Sequence, residues 1–175
     1  MVALIEKSWD GITGADGNEI TLFISRPTAH DGPLPAVVHL HGGHVDKYAG
    51  DGLFAVFGAA RRHRDHADRA LAAAVQIADV VEDEFAGALS VGVGLNSGPV
   101  VAGNVGGAGR LEYSVIGDAV NVAARVEAAT RLTGDAVLLS ERTLAMLTAP
   151  HCRFAERPAM LLKGKAVPVQ LYAPR

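Results

Sequence analysis

The run Val45-Asp46-Lys47-Tyr48-Ala49-Gly50-Asp51 sets an ammonium and a carboxylate four residues apart around a glycine, between two apolar segments. Gly50-Asp51-Gly52 is a turn signal, and Leu53-Phe54-Ala55-Val56-Phe57 reads as a strand leaving it. Together they predict a hairpin that holds Asp51 at its tip, where a carboxylate can meet a divalent metal. Lys47 sits on the incoming strand. Its even spacing from Asp51 puts both side chains on one face of a regular strand, an inference that the turn between them weakens. A lone Gly-Asp-Gly is more often an ordinary turn, so the surrounding run decides the matter.

At 175 residues the chain can bury one good core and is too short for two ordinary domains. Hydrophobic residues make up 49% of it, which argues against disorder. Lys plus Arg is 16, Asp plus Glu is 19 and the net charge is −3, so nothing suggests a nucleic-acid or membrane surface. The cluster Arg61, Arg62, His63, Arg64 reads as a solvated loop. Cys152 stands alone, which rules out an internal disulfide and fits a reducing compartment, the cytoplasm. No signal peptide is expected at the start, and no apolar run approaches the ~20 residues of a spanning helix.

Residues 1–36 read differently from the rest. Ile20-Thr21-Leu22-Phe23-Ile24-Ser25 is a strand candidate behind an Ala15-Asp16-Gly17-Asn18 turn. Ala36-Val37-Val38-His39-Leu40 is a second apolar run, broken by His41-Gly42-Gly43. Past the hairpin, Ala67, Ala70, Leu71, Ala74, Ala78, Val81 and Phe85 recur at helical spacing, with Asp65 placed as N-cap. Leu89–Leu95 alternates with glycine as a strand, and Pro99–Ala102 opens another. Ala119–Leu132 reads as a second helix, Ser140 caps a short third one, and Leu161–Tyr172 reads as a closing strand pair or a bent strand. From residue 45 the order is β-β-α-β-β-α-β with extra pieces, which predicts an α+β fold with helices on one face of the sheet. His39, His41 and His44 have no partner carboxylates that would make them a metal cluster; Tyr48, Phe54 and Phe57 read as core.

Four motifs in order carry a resemblance. Val45 to Gly58 is similar to the pattern Val-x-Lys-x-x-Gly-Asp followed by an apolar strand ending Phe-Gly, found in class III nucleotidyl cyclases. Val91 to Gly103 resembles that family's strand and glycine-rich turn, and Tyr113 to Arg125 its second signature. Leu162-Lys163-Gly164-Lys165 with Val167 to Tyr172 resembles its closing strand. The resemblance runs from about residue 40 to 173 and implies a ferredoxin-like cyclase-homology sheet with helices on one face.

It also implies roles. Asp51 matches the second of two metal-binding aspartates, which hold Mg²⁺ or Mn²⁺. Asn121 and Arg125, four apart on one helix face, match the pair that orients the ribose and stabilises transition-state charge. Lys47 matches the position that reads the base, with Ser114 as its companion; a lysine can donate to adenine N1, so ATP is favoured over GTP. Lys163 matches the triphosphate-binding lysine, with Lys165 open as the alternative. The first aspartate belongs, in the family, to an apolar strand followed by Asp-Ile-x-Gly-Phe-Thr, and nothing in residues 1–44 matches it; Asp10, Asp16 and Asp31 read as residues of Gly- or Pro-rich turns. The expected cyclase domain, residues 44–175, is therefore partial, truncated at its N-terminus, and lacks the family's first strand.

Residues 1–43 resemble a second family, the α/β-hydrolase esterases, through Arg26-Pro27, Gly32-Pro33-Leu34-Pro35 and Val37 to Gly43. The fourth glycine of their His-Gly-Gly-Gly is His44 here, and no G-x-S-x-G elbow follows. This stretch is expected to be a hydrolase-like hairpin segment, not a full domain.

The expected function is that of an adenylate cyclase, converting ATP to cyclic AMP and pyrophosphate. The expected assembly is a homodimer, or a heterodimer with another cyclase domain, with no nucleic acid and no membrane segment. The rival reading is a catalytically dead nucleotide-binding or dimerisation module, which the missing aspartate favours. An esterase fragment is the third, disfavoured by the absent serine elbow.

Overall fold

The computed structural model describes residues 5–13, 19–27, 37–39, 44–49, 52–58, 64–85, 88–107, 110–148, 152–161 and 167–175, with side chains for 52–58, 64–85, 88–101, 115–148, 152–161 and 167–175. Its first three strands, β1 (Ile5–Thr13), β2 (Glu19–Pro27) and β3 (Val37–His39), form an antiparallel sheet in that order. The candidate Ile20–Ser25 lies inside β2, and Val37–His39 falls within the second apolar run. Strand β1 was not expected: the run Glu6-Lys7-Ser8-Trp9-Asp10-Gly11 has no apolar alternation to announce it. Its register, from Ile5 opposite Pro27 to Thr13 opposite Glu19, is supplied by a partner strand rather than by its own pattern.

Strands β4 (His44–Ala49) and β5 (Gly52–Val56) form the expected hairpin, closing with Ala49 opposite Gly52. Asp51 itself lies outside the described residues. The chain then enters α1 (His66–Phe85), directly after Asp65 as the sequence suggests. Arg69 Nε donates to the Asp65 carboxylate at 2.9 Å. Ala67, Leu71, Ala73 and Ala74 are buried, and Ala73 packs with Ala55, Phe57, Ile77 and Val80. Small side chains let this helix sit close against the hairpin strand.

The next elements are β6 (Val93–Leu95), the antiparallel ribbon β7 (Val101–Gly107) and β8 (Arg110–Ile116), and α2 (Asp118–Thr133). They are followed by β9 (Val137–Ser140), α3 (Glu141–Leu144), β10 (Phe154–Met160) and β11 (Val169–Pro174). Four of these strands make a mixed sheet in the order β10-β11-β9-β6; β9 and β6 are parallel and the other pairs antiparallel. Parallel neighbours need a crossover, and α2 lies on the path between them. The fold is α+β, as the element pattern predicted.

The main core sits between α2 and this sheet. Val122, Val126 and Ala129 from the helix meet Leu138, Leu171 and Ala173 from the strands, with Met160 and Val169 at the margin. All four residues of β9 are buried, which explains its continuous apolar reading, Val137-Leu138-Leu139, instead of an alternating one. Gly94 is opposite Leu138 in register, and the space where its side chain would stand is filled by the backbone of α2. The helix ends at Gly134, whose φ of 75° is left-handed and whose N–H returns to Thr130 O at 2.8 Å.

The closing strand pair differs from the expected Leu161–Tyr172. Its strands are Phe154–Met160 and Val169–Pro174. Pro158 argues against a strand when read alone, because it cannot donate to a ladder. Here β10 is an edge strand, and its register shifts between Arg157 and Met160, so the proline is tolerated.

Two polar clasps hold these parts together. The buried Asp68 carboxylate of α1 accepts from Thr148 N at 3.1 and 3.2 Å and from Thr148 Oγ1 at 2.9 Å. Arg157 forks onto Asp135, Nε to Oδ2 and Nη2 to Oδ1, both at 2.6 Å. The hydrogen bond from Arg157 holds the Asp135 carboxyl below its usual value, against the opposing effect of burial. A depressed carboxyl pKa adds stability above the unfolded value, near 3.9, and loses it as pH falls through the folded value. The Arg157→Ala chain is therefore expected to melt below the wild type at pH 7. That gap should narrow below about pH 4, where Asp135 is protonated in the unfolded chain. Thermal melts across pH 3–7 check this; a gap that stays constant through the acid range would contradict it.

Candidate functional site

Four of the candidate residues lie on three described elements, β4, β8 and α2. Ser114 lies on β8 opposite Gly103, and a single residue, Gly117, separates this strand from the helix that carries Asn121 and Arg125. Lys47 lies on β4, opposite Phe54, and β4 runs beside β8. The fold thus brings the strands of Lys47 and Ser114 together and sets the Asn121/Arg125 helix at the end of one of them. Asp51 and the pair Lys163/Lys165 lie outside the described residues.

Helix α2 presents its two candidates away from the core. Successive residues turn by about 100°. Val122, Val126, Ala129 and Thr130 form the buried stripe. Arg125 falls at its edge and is half-buried; Asn121 lies further round and is exposed. Among the described residues, no carboxylate pairs with Arg125, whereas Arg131 on the same helix holds Glu127 at 3.0 Å. An exposed amide and an uncommitted guanidinium one turn apart can hold a polar, anionic ligand together.

A cavity of about 260 Å³ opens beside the start of α2, lined among others by Asn96, Asp118, Val122, Ser140, Arg142 and Gln170. Neither Asn121 nor Arg125 is among the described residues that line it.

Sequence reasoning missed Asn96. Its Nδ2 donates to Ala119 O at 2.9 Å, and its Oδ1 accepts from Ser140 Oγ at 2.7 Å. Ser140 was legible as a helix cap, and it does cap α3 by accepting from Thr143 N. No local pattern, however, pairs two positions 44 apart.

A ribbon feeding a helix, beside a hairpin and on a mixed sheet, is the arrangement of a cyclase catalytic domain. Residues 40–173 match the family described as "Adenylate and Guanylate cyclase catalytic domain", and the chain belongs to that family. An uncharacterised protein of Mycobacterium tuberculosis is 39% identical over 138 residues, covering 78% of this chain and 24% of the relative. An adenylate cyclase of Anabaena cylindrica is 35% identical over 145 residues, covering 75% of this chain and 28% of the relative. The chain spans about a quarter of the length of the curated relatives it matches.

Among solved structures, a bacterial light-regulated adenylyl cyclase is similar with a TM-score of 0.63 and 27% identity, over 76% of this chain and 39% of that one. The catalytic core of a rhodopsin-guanylyl cyclase with converted specificity, in complex with ATPαS, has a TM-score of 0.62 and 31% identity, over 76% of this chain and 72% of that one.

Cyclases of this class generally use divalent metals. Among the described residues, no three His, Cys, Asp or Glu side chains converge. The described residues therefore hold no such cluster, and Asp51, the aspartate that the motif matches to a metal role, lies outside them. Among the described residues, no helix is long and apolar enough to cross a membrane.

Proposed function

We propose that this chain is a cyclase catalytic domain of the adenylate type, whose own part in the reaction is to bind ATP and stabilise its transition state. The observation that carries this reading is the continuous β8–Gly117–α2 unit. It sets Asn121 and Arg125 outside the core, one helix turn apart, at the end of the strand bearing Ser114. Lys47 donates to adenine N1, and Ser114 accepts from the adenine amino group. Asn121 orients the ribose. Arg125 takes up negative charge as the 3′ oxygen bonds to the α-phosphorus, the bond to the β-phosphate oxygen breaks, and the 3′-hydroxyl proton is lost. Lys163, or Lys165 beside it, holds the departing pyrophosphate.

Bound Mg²⁺ or Mn²⁺ supplies phosphate neutralisation and a more acidic 3′-hydroxyl in chemistry of this kind. Asp51 is one carboxylate for that role, and a second is wanted. The domain works as a dimer in this reading, with Asp51 of one subunit facing Lys47, Ser114, Asn121 and Arg125 of the other, in the cytoplasm where ATP is available. The cyclase part begins near residue 44, and residues 1–43 form a separate, hydrolase-like segment.

A second reading follows from the missing first aspartate. The chain is then inactive by itself and lends its α2 pair to a partner cyclase domain that carries both aspartates. Cyclic AMP formation from ATP with Mn²⁺ separates the two. The chain alone is expected to be very weak or inactive. Mixing it with a cyclase subunit that has both aspartates but lacks its own Asn/Arg pair is expected to restore turnover. Robust turnover by the chain alone, abolished by Asp51→Ala, would show that no second carboxylate is needed from elsewhere. Silence of the mixture, with heterodimers demonstrated, would remove the helper reading.

A further inference from the structure

Helix α2 carries one acidic residue, Asp118, in its first turn but has no side-chain cap. Gly117 in the capping position offers none. The entry of the helix is instead set by the segment that follows β6. Asn96, the first residue past that strand, donates its amide N–H to Ala119 O at 2.9 Å. Two residues on, Gly98 lies so close to the helix that a Cβ there would stand 2.8 Å from Ala119 Cβ. One short loop therefore grips the first turn of α2 at a single residue by a hydrogen bond and by contact.

The amide is locked in one orientation. A carbonyl can only accept, so the nitrogen of Asn96 must face Ala119 and the oxygen must face Ser140. The Ser140 hydroxyl then gives its proton to Asn96 at 2.7 Å and takes a hydrogen bond from Thr143 N at 3.3 Å. Ser140 and Thr143 are each 1% exposed, so this anchor is shielded from water. The chain of bonds runs from the start of α3, through Ser140 and Asn96, to the start of α2. It ties the ends of the parallel neighbours β9 and β6 to the helix that bears the candidate pair.

We infer that Asn96 is a positioning residue for the cyclase reaction, fixing the axial and rotational setting of α2 so that Asn121 and Arg125 meet the reacting nucleotide. This rests on the role given to that pair above. Ala119 precedes Asn121 by two residues and Arg125 by six, or roughly 3 Å and 9 Å along the helix. Without that bond the first turn loses its tie to the loop after β6 and can shift, and a displacement of about 1 Å at a reacting group can cost ~10²-fold in rate. Lys47 and Ser114 are held by strands, so base recognition is left in place.

The discriminating substitution is Asn96→Asp. It keeps the size of the side chain and the acceptor for Ser140, but it removes the donor to Ala119. In the mixed-subunit assay, at a temperature where both chains are folded by thermal melt, kcat is expected to fall at least tenfold. KM for ATP is expected to change less than twofold. A merely structural role would lower the melting temperature and leave kcat of the folded enzyme alone; unchanged kcat, or a raised KM with unchanged kcat, overturns the proposal.

Amide exchange on the full chain provides a readout that needs no activity. Asn96→Asp is expected to speed exchange at Ala123 N–H about tenfold while Val126 and Ala129 are unmoved; equal protection at Ala123 also overturns it. Asn121→Ala in the mixture tests the underlying reading separately. If turnover survives that change, or if the wild-type mixture is silent, the role of the pair fails, and the exchange result still decides whether Asn96 holds the helix.

Discussion

The Gly94→Ala chain is expected to melt about 5–10 °C below the wild type, or to fail to fold. A Cβ on Gly94 would stand 2.1 Å from Glu127 N, 2.6 Å from Ala123 O and 2.6 Å from Glu127 Cα. All three atoms are backbone, so no rotamer change can make room; either α2 or β6 must move. Overpacking a core costs ~1–3 kcal/mol, and the upper end applies where a helix must shift. In a chain of this size each kcal/mol lowers the melting temperature by ~2–4 °C. Gly134→Ala is the informative control. Among the described residues nothing lies within 4 Å of a Cβ there, so its cost comes from the left-handed φ of 75°, about 1–2 kcal/mol. Circular-dichroism melts rank the two; a Gly94→Ala chain within 2 °C of wild type would mean that the helix does not press on β6 as described.

Arg125→Ala is expected to lower cyclic AMP formation in the mixed-subunit assay by ~10²–10³-fold, the usual loss when one positioned electrostatic group is removed from a transition state. KM for ATP should move little, because Lys47 and Ser114, the residues proposed to read the base, are unchanged. The fold should hold, since Arg125 lies at the edge of the buried stripe while Val122, Val126 and Ala129 form the core contacts. Arg125→Lys should recover only part of the rate: an ammonium keeps the charge but loses the planar fork of donors. A loss below threefold for Arg125→Ala, with the mixture active, would take Arg125 out of the chemistry.

Local pattern was enough for a good deal of this molecule. The β4–β5 hairpin follows from Gly50-Asp51-Gly52 between apolar runs, α1 from its alanine-spaced stripe, and α2 from Ala119–Leu132. The short α3 follows from Ser140 as its cap. These elements are local: their periodicity or turn chemistry is written in neighbouring residues. Family membership was legible for the same reason, because four short motifs recur in a set order. The spacing of Asn121 and Arg125 already placed them on one helix face.

Other features belong to the assembled fold. Strand β1 has no alternation of its own and exists through its pairing with β2. Strand β10 carries a proline that only an edge position excuses, so the closing pair was placed too late in the chain. The need for glycine at position 94 is invisible until α2 is laid across it. Above all, Asn96 looks like one more polar residue in a glycine-rich turn. Its meaning depends on Ala119 and Ser140, brought to it from 23 and 44 residues away. Periodicity encodes which face of an element is apolar. Which elements meet, and which single amide bridges them, is set by long-range packing that no short window of residues contains.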